Sequence, residues 1–413
     1  MYQWSEEHQA IIQVMRSFVD KEIRPHLDEI EYEGVPPYDI IRKMYDVFGL
    51  KEMAKENFAR MLERKKSGEE APARRGGGDP GAQLISTIEL CRVSPGLVTS
   101  MGVSTGLAAG TINKLGTPAQ MERWGLDLLT FDKVGAWAIT EPDSGSDALG
   151  GMTTTARRDG DEYIINGSKT WITNGPFADT IVLYAKLDDG SGEDMRNRKV
   201  LTFVLDKGMP GLEQSKPMRK MGQKASPTGT LFMTDLRVGK DRLLGETEDP
   251  KGGGRSSAKD NFVSERAGVA SMSLGVIEEC LKLSIDYAKN RKLWNKPISD
   301  FQLIQLKLAN MEVARVNVQN MVFQFIERSM NNAPTSMAEA SAMKLYSAQA
   351  ACQVADEAIQ LFGGNGYVSE YRVEQLARDA RVLRIYAGTD EIQVGAIAKD
   401  LLLSLIHISE PTR

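Results

Sequence analysis

Histidine is nearly missing from this chain. Only His8, His26 and His407 occur among 413 residues. A hydrolase triad needs a positioned imidazole and a His-rich metal site needs several, so neither class fits, and no metal is expected. Any chemistry must rest on a carboxylate or a cofactor. Cysteine is as sparse: Cys91, Cys280 and Cys352 stand far apart, as reduced thiols packed like small hydrophobes would. No apolar run approaches the length of a membrane span. Residues 1–7 lack the charged-then-apolar layout of a signal peptide. Basic charge is not concentrated either. The 51 Lys and Arg residues face 56 Asp and Glu, for a net charge of −5, which argues against a nucleic-acid groove. These absences predict a cytoplasmic location.

What is present is ordinary for a soluble globular chain: 41% apolar residues, and length enough for two or three domains. Residues 1–130 read as helices. Ser5 is a capping residue, and Ile11, Ile12, Met15, Phe18 and Val19 recur at helical spacing. Residues 34–38 form a Pro-rich turn before a helix at 40–48. The stretch 67–80 is biased toward Gly, Pro and charge and reads as a mobile surface loop, with phosphate binding by Arg74 and Arg75 as the alternative. Residues 131–250 change character. Short β-rich runs at 179–185, 200–205, 230–233 and 236–238 alternate with Gly- and Asp-rich turns, as in a sandwich or barrel. A linker follows at 249–254. Residues 255–402 return to long amphipathic helices, at 262–290, 301–330 and 335–362, as in a bundle. The predicted class is α+β, with a helical domain at 1–130, a β-barrel or sandwich at 131–250 and a four-helix bundle at 255–402.

Two stretches carry the sharpest pattern. One is Trp137-Ala138-Ile139-Thr140-Glu141-Pro142-Asp143-Ser144-Gly145-Ser146-Asp147. The other is Lys169-Thr170-Trp171-Ile172-Thr173-Asn174-Gly175. A hairpin-like passage at 153–165 joins them, turning at 158–161. The loop at 141–147 can bring backbone N–H groups toward an anion. On composition alone it is an ordinary polar turn.

Together the two stretches resemble the paired signatures of the acyl-CoA dehydrogenase flavoproteins, a T-E-P-x-x-G-S-D loop followed by K-x-W-I-T-N. The resemblance covers residues 1–402, including a second β signature between Lys220 and Val238. It implies an FAD site. Trp171 would cover the isoalloxazine ring, and Thr173 would bond near its reactive nitrogen. Thr140, Gly145 and Ser146 would touch the flavin or the thioester, with Trp137, Ile139 and Ile172 in the same wall. Asp143 stands where the family more often has Gly, and Asp tolerates the left-handed region better than most residues.

Three further segments resemble family flavin contacts. Arg291 and Gln302 flank a turn in which Trp294-Asn295 replaces the more usual Phe-Gly. Arginine suits a pyrophosphate because its fork donates two parallel bonds; the alternative is an arginine that satisfies helix carbonyls. Gln360, Gly363 and Gly364 belong to a segment that in the family reaches the flavin of another subunit, which implies an oligomer, a homotetramer. Thr389 and Glu391 match flavin contacts, with Ala387, Gly388, Ser146 and Arg266 on the substrate side.

Many family members carry the catalytic base just before the Gly-Thr at 388–389. Here that residue is Ala387, which cannot titrate, although its N–H remains for an oxyanion. The isovaleryl- and long-chain-type subset instead places a glutamate before an arginine early in the first helix of the last domain, and Glu265-Arg266 matches. Helical phase agrees. Val269, Met272, Val276 and Leu283 lie within about 40° of residue 265, so Glu265 is expected to face the interior, where desolvation raises its pKa. The alternative is a first-turn glutamate favouring the positive helix end. Asp390 and Glu391 are rival bases.

The resemblance implies α,β-dehydrogenation of an acyl-CoA to a trans-2-enoyl-CoA, with electrons passed to an electron-transfer flavoprotein. An oxidase of the same fold, a nucleic-acid-binding relative and a non-catalytic subunit of a mixed oligomer are the rivals. Residues 403–413 resemble a translated sequencing-library adapter and are expected to be non-native, so His407 is given no function.

Overall fold

The computed structural model describes residues 2–69, 79–249 and 254–409, with side chains described throughout except at 254–261 and 403–409. Arg74 and Arg75, most of the 249–254 linker and the last residues of the presumed adapter lie outside this set. Helices occupy the chain up to Leu129. The first, Glu6–Phe18, starts as Ser5 predicts. Its hydroxyl accepts the His8 N–H at 3.2 Å, and the His8 ring returns the favour to the Ser5 N–H at 3.2 Å. Met15 and Phe18 form its buried face. Helix Pro80–Cys91 begins with Asp79 as cap and proline at its first position. It packs on helix Gly254–Asn290, where an added Cβ at Gly275 would stand 2.3 Å from the Ile88 carbonyl oxygen. The two backbones approach so closely that only glycine fits.

The middle of the chain is one curled, mixed, seven-stranded sheet: β1 Gly135–Ala138, β2 Thr155–Asp159, β3 Glu162–Thr173, β4 Thr180–Asp188, β5 Val200–Asp206, β6 Leu212–Gln214 and β7 Thr228–Gly239. β4 is the hub. β1 and β2 run parallel along successive parts of one edge, and β5 runs antiparallel along the other. The β2–β3 hairpin turns where the sequence predicts, and β3, β7 and β6 follow. β4 is buried from Thr180 to Leu187, because both faces of the sheet are covered. Ile181, Leu183 and Ala185 join one core, while Val182 and Tyr184 join another with Trp124 and Ile112. Two expected strands, 230–233 and 236–238, are in fact one. Asp235 turns left-handed at φ 46°, and its bonds with Asn166 at 2.8 and 3.1 Å carry β7 across the bend.

The last part is built on helices Gly254–Asn290, Gln302–Met330, Met337–Phe362 and Asp390–Ser409. The first lies against the second and third, and the third against the fourth. The first begins before residue 262 and the last runs beyond 402, so both exceed their expected bounds. Val269, Met272 and Val276 are buried, whereas Lys282 and Asp286 are exposed. Leu283, of the same predicted stripe, is half-buried, and every residue from Val269 to Ile277 is buried, so over these turns the helix is covered all round rather than along one face. Glu279, at the border of the predicted stripe, is fully buried between Arg24 at 2.7 Å and Arg92 at 3.0 Å. No described helix is long and apolar enough to cross a membrane.

Candidate active site

The stretches 137–147 and 169–175 come together through the backbone. Thr170 N–H donates to the Thr140 carbonyl at 2.9 Å, extending β1 beside β3. A buried ion pair reinforces this. Lys169 Nζ lies 2.9 Å from Glu141 Oε1 and donates to the Ile139 carbonyl at 3.1 Å. Glu141 also accepts the Thr153 N–H and hydroxyl, both at 2.6 Å, and the Thr154 N–H at 2.9 Å. Burial works to raise the Glu141 pKa, but the Lys169 charge and these bonds outweigh it and hold it at about 2. Burial brings Lys169 down to about 8 despite Glu141, so both partners stay charged at neutral pH. Asn174, left-handed at φ 62°, adds a second tie. Its amide donates to the Ser100 and Gly135 carbonyls, each at 2.9 Å, and accepts from the Tyr38 hydroxyl at 3.2 Å. It joins the helical segment to the sheet.

On this braced frame Gly145, Ser146 and Trp171 face outward, while the other expected contact residues are partly or wholly covered. β3 carries an extra residue opposite β7 between Lys169 and Ile172. The bulge and a φ of 59° re-aim Trp171, whose side is 64% exposed, while Ile172 stays buried. Gly145 and Ser146 are exposed, and a Cβ at Gly145 would meet nothing within 4 Å. Thr140 and Thr173 are half-buried, Ile139 is buried, and Trp137 donates from Nε1 to the Tyr184 hydroxyl at 3.3 Å. The turn at 141–144 closes by reciprocal backbone bonds of 3.2 and 3.1 Å without a left-handed residue, so Asp143 needs none of the tolerance credited to it.

A second region forms where helices Gly254–Asn290 and Met337–Phe362 meet the 385–393 segment. Glu265 is half-buried and makes no ion pair or hydrogen bond among the described residues. Burial raises its pKa to about 7, against the opposing charges of Arg266 and Lys344. Arg266 is buried, with Nη1 on the Ser341 hydroxyl at 2.8 Å and on the Met337 sulfur at 2.7 Å. Its Nη2 would lie 3.6 Å from a Cβ at Gly388. The residue after the expected base therefore reaches the turn that holds Ala387. Ala387 and Gly388 are both left-handed, at φ 54° and 87°. Gln393 donates to their carbonyls at 3.0 and 2.8 Å, and Lys344 donates to that of Gly388 at 2.8 Å. Of the rival acids, Asp390 is bound to Arg384 at 2.8 Å and Gln349 at 3.1 Å, and Glu391 is exposed beside half-buried Thr389.

The third group lies on the surface. Arg291, Gln302, Gln360, Gly363 and Gly364 are all exposed. No hydrogen bond or ion pair among the described residues links them to the 137–175 wall. Arg291 does not satisfy helix carbonyls: its guanidinium bonds to none of the described residues, while its own carbonyl accepts the Ile298 N–H at 2.8 Å. Trp294 and Asn295 both turn left-handed, at φ 49° and 65°, as a two-residue hairpin demands. Sequence reasoning gave no role to Lys169, Glu141, Asn174, Lys344 or Gln393. The usable signal was a lone lysine in an apolar strand and a lone glutamate in the stretch paired with it.

Three family models match in order: acyl-CoA dehydrogenase N-terminal domain over residues 5–132, middle domain over 136–236 and C-terminal domain over 252–402. The caffeyl-CoA reductase–Etf complex subunit CarC of Acetobacterium woodii is 36% identical, over 97% of this chain and 99% of its own. The solved butyryl-CoA dehydrogenase of Megasphaera elsdenii superposes with a TM-score of 0.81 at 29% identity, covering 97% of this chain and 100% of its own. A solved acyl-CoA dehydrogenase complexed with FAD, from Bacillus anthracis, gives a TM-score of 0.80 at 28% identity, covering 98% of this chain and 68% of its own.

Proposed function

This chain belongs to the acyl-CoA dehydrogenase family, and from that premise we propose that it oxidises an acyl-CoA thioester to the trans-2-enoyl-CoA with Glu265 as base. The carrying observation is the half-buried Glu265 carboxyl, which has no hydrogen-bond or ion-pair partner among the described residues, next in sequence to Arg266, which reaches the Ala387–Gly388 turn. A carboxyl poised near neutrality takes a proton efficiently at working pH. Glu265 removes the proton α to the thioester carbonyl. The Ala387 N–H stabilises the developing oxyanion. Gln393 and Lys344 keep the turn from relaxing, and Ser146 and Arg266 border the thioester.

The residues present fit FAD. Trp171 offers a large exposed aromatic face, Arg291 a guanidinium with no partner among the described residues, and Gly145 an open approach to the backbone. Trp137, Ile139, Thr140, Gly145, Ser146, Trp171, Ile172 and Thr173 would line the ring. Arg291, Gln302, Gln360, Gly363, Gly364, Thr389 and Glu391 would hold the rest, some of them from a second subunit. When bound, FAD supplies the hydride acceptor.

The exposure of Gln360, Gly363 and Gly364, in a segment that in the family reaches another subunit's flavin, supports a homo-oligomer, a tetramer in our reading. So does helix Gln302–Met330, which exposes Leu303, Leu306, Val313 and Val316 along one side. Electrons pass to an electron-transfer flavoprotein, a partner that the Etf-complex relative supports. That relative is named a reductase, which favours a second reading: the same site run backwards, with protonated Glu265 returning a proton to the α carbon of an enoyl-CoA.

The test is anaerobic bleaching of bound flavin by a panel of acyl-CoA thioesters. Wild type bleaches with at least one of them, and Glu265→Gln keeps FAD but bleaches with none. A variant that bleaches at the wild-type rate removes Glu265 from the mechanism. Oxygen consumption without added acceptor would favour an oxidase.

A further inference from the structure

Gln393 is wholly buried in the first turn of helix Asp390–Ser409. Its Nε2 donates to two successive carbonyls, that of Ala387 at 3.0 Å and that of Gly388 at 2.8 Å. Its own Oε1 is buried and accepts no hydrogen bond among the described residues. An unpaired amide oxygen in the interior is costly, so this side chain is not there for packing alone. A Cβ on Gly388 would stand 2.7 Å from Nε2, so only glycine lets the amide come this close. Lys344 also donates to the Gly388 carbonyl, at 2.8 Å, but among the described residues Gln393 alone takes that of Ala387.

The peptide bonds here are trans, so each N–H points away from the carbonyl of its own peptide plane. The Ala387 carbonyl shares a plane with the Gly388 N–H, and the Gly388 carbonyl with the Thr389 N–H. One nitrogen receives both carbonyls, so both N–H groups are turned away from it, to one side of the turn. Neither donates a hydrogen bond to a described residue. Neighbouring free N–H groups of this kind bind anions. A separate observation beside the same glycine points to negative charge. Arg266 is only 5% exposed, forms no ion pair among the described residues and keeps a buried Nε without a partner. Its Nη2 would lie 3.6 Å from a Cβ at Gly388. A buried guanidinium without a counter-charge asks for an anion.

We propose that Gln393 is a positioning residue: by holding both carbonyls it presents the Gly388 N–H, with that of Thr389, to an anionic oxygen of a bound ligand. The proposal rests on the acyl-CoA dehydrogenase reading, in which two groups carry such an oxygen, the thioester as it gains charge and the cofactor's phosphates.

The experiment is calorimetric titration of wild type and Gln393→Met, which keeps the volume and loses the donor. The FAD-loaded protein is titrated with crotonyl-CoA and with crotyl-CoA, the thioether that lacks the carbonyl oxygen, and the apoprotein with FAD. Losing one presented donor should weaken the ligand that carries the oxygen about tenfold. Weakening of the thioester but not the thioether assigns the oxygen to the substrate. Weakening of FAD, with the thioether bound by the reloaded protein as in wild type, assigns it to a phosphate. Gln393→Glu keeps the shape but turns oxygens toward the two carbonyls. It should show the same loss, and it serves where the methionine variant fails to fold. A folded variant that weakens neither the thioester nor FAD overturns the proposal. So does one in which the thioether weakens as much as the thioester, because a general loss of packing would do that. Wild type that binds neither FAD nor crotonyl-CoA removes the acyl-CoA reading and the proposal with it, so wild type alone tells the two failures apart.

Discussion

The wall at 137–175 and the region around Glu265 treat a covered carboxyl in opposite ways. Glu141 is surrounded by donors and a lysine, and its charge is fully compensated. Glu265 has no bonded partner among the described residues, and burial pushes it up toward neutrality. A compensated carboxyl makes a frame, because losing either partner is costly. An uncompensated one is available for proton transfer. The same contrast separates Lys169, 2.9 Å from its acid, from Lys344, which stands 4.0 Å from Asp390 Oδ1.

The largest expected effect breaks the frame. Glu141→Ala leaves Lys169 buried without a counter-charge and should cost about 3–5 kcal/mol of stability in urea unfolding. Glu265→Gln should cost nothing or stabilise. Equal losses would erase the contrast.

Next is the pH dependence, where the two acids should have opposite signs. The folded pKa of Glu265 lies above its ordinary 4.5, so the folded state holds the proton more tightly. Its contribution favours folding at low pH and is lost as pH rises toward about 7. Glu141 is depressed from 4.5 to about 2, so its contribution is full above 4.5 and is lost as pH falls toward 2. Stability curves of Glu265→Gln and wild type should therefore diverge between these two Glu265 values and run parallel above neutrality. Divergence confined to pH below 4.5 would contradict the assignment.

A smaller effect is expected at Arg291. Its alanine variant should weaken FAD binding by about 2 kcal/mol, roughly 30-fold, in calorimetric titration. Unfolding should be unchanged, since the guanidinium bonds to no described residue. Smallest of all, Trp171→Ala should alter stability by less than about 0.5 kcal/mol while loosening FAD. A large stability loss there would mean that the indole belongs to the frame.

Periodicity reached the elements that bury one face. The burial of Val269, Met272 and Val276 follows from the helical phase, and the half-burial of Glu265 is consistent with it. Turn chemistry placed the β2–β3 hairpin and the Ser5 cap. The left-handed turn at Asp235 was hidden, because its cause is Asn166 on another strand. The burial of Glu279 was hidden for the same reason, since Arg24 and Arg92 arrive from distant segments. The Glu141–Lys169 pair and the grip of Lys344 on Gly388 are likewise tertiary contacts. The motif residues themselves were visible, but which of them are bonded and which are left open was not.

The central claim is that Glu265 takes the α proton, and hydrogen exchange reads that step alone. A thioester with no hydrogen on its β carbon, such as 3,3-dimethylbutyryl-CoA, can lose an α proton but cannot be dehydrogenated. Incubated in deuterium oxide with the FAD-loaded protein and followed by mass spectrometry, it should gain α-deuterium with wild type and none above background with Glu265→Gln. Wild-type exchange in that variant would contradict the account.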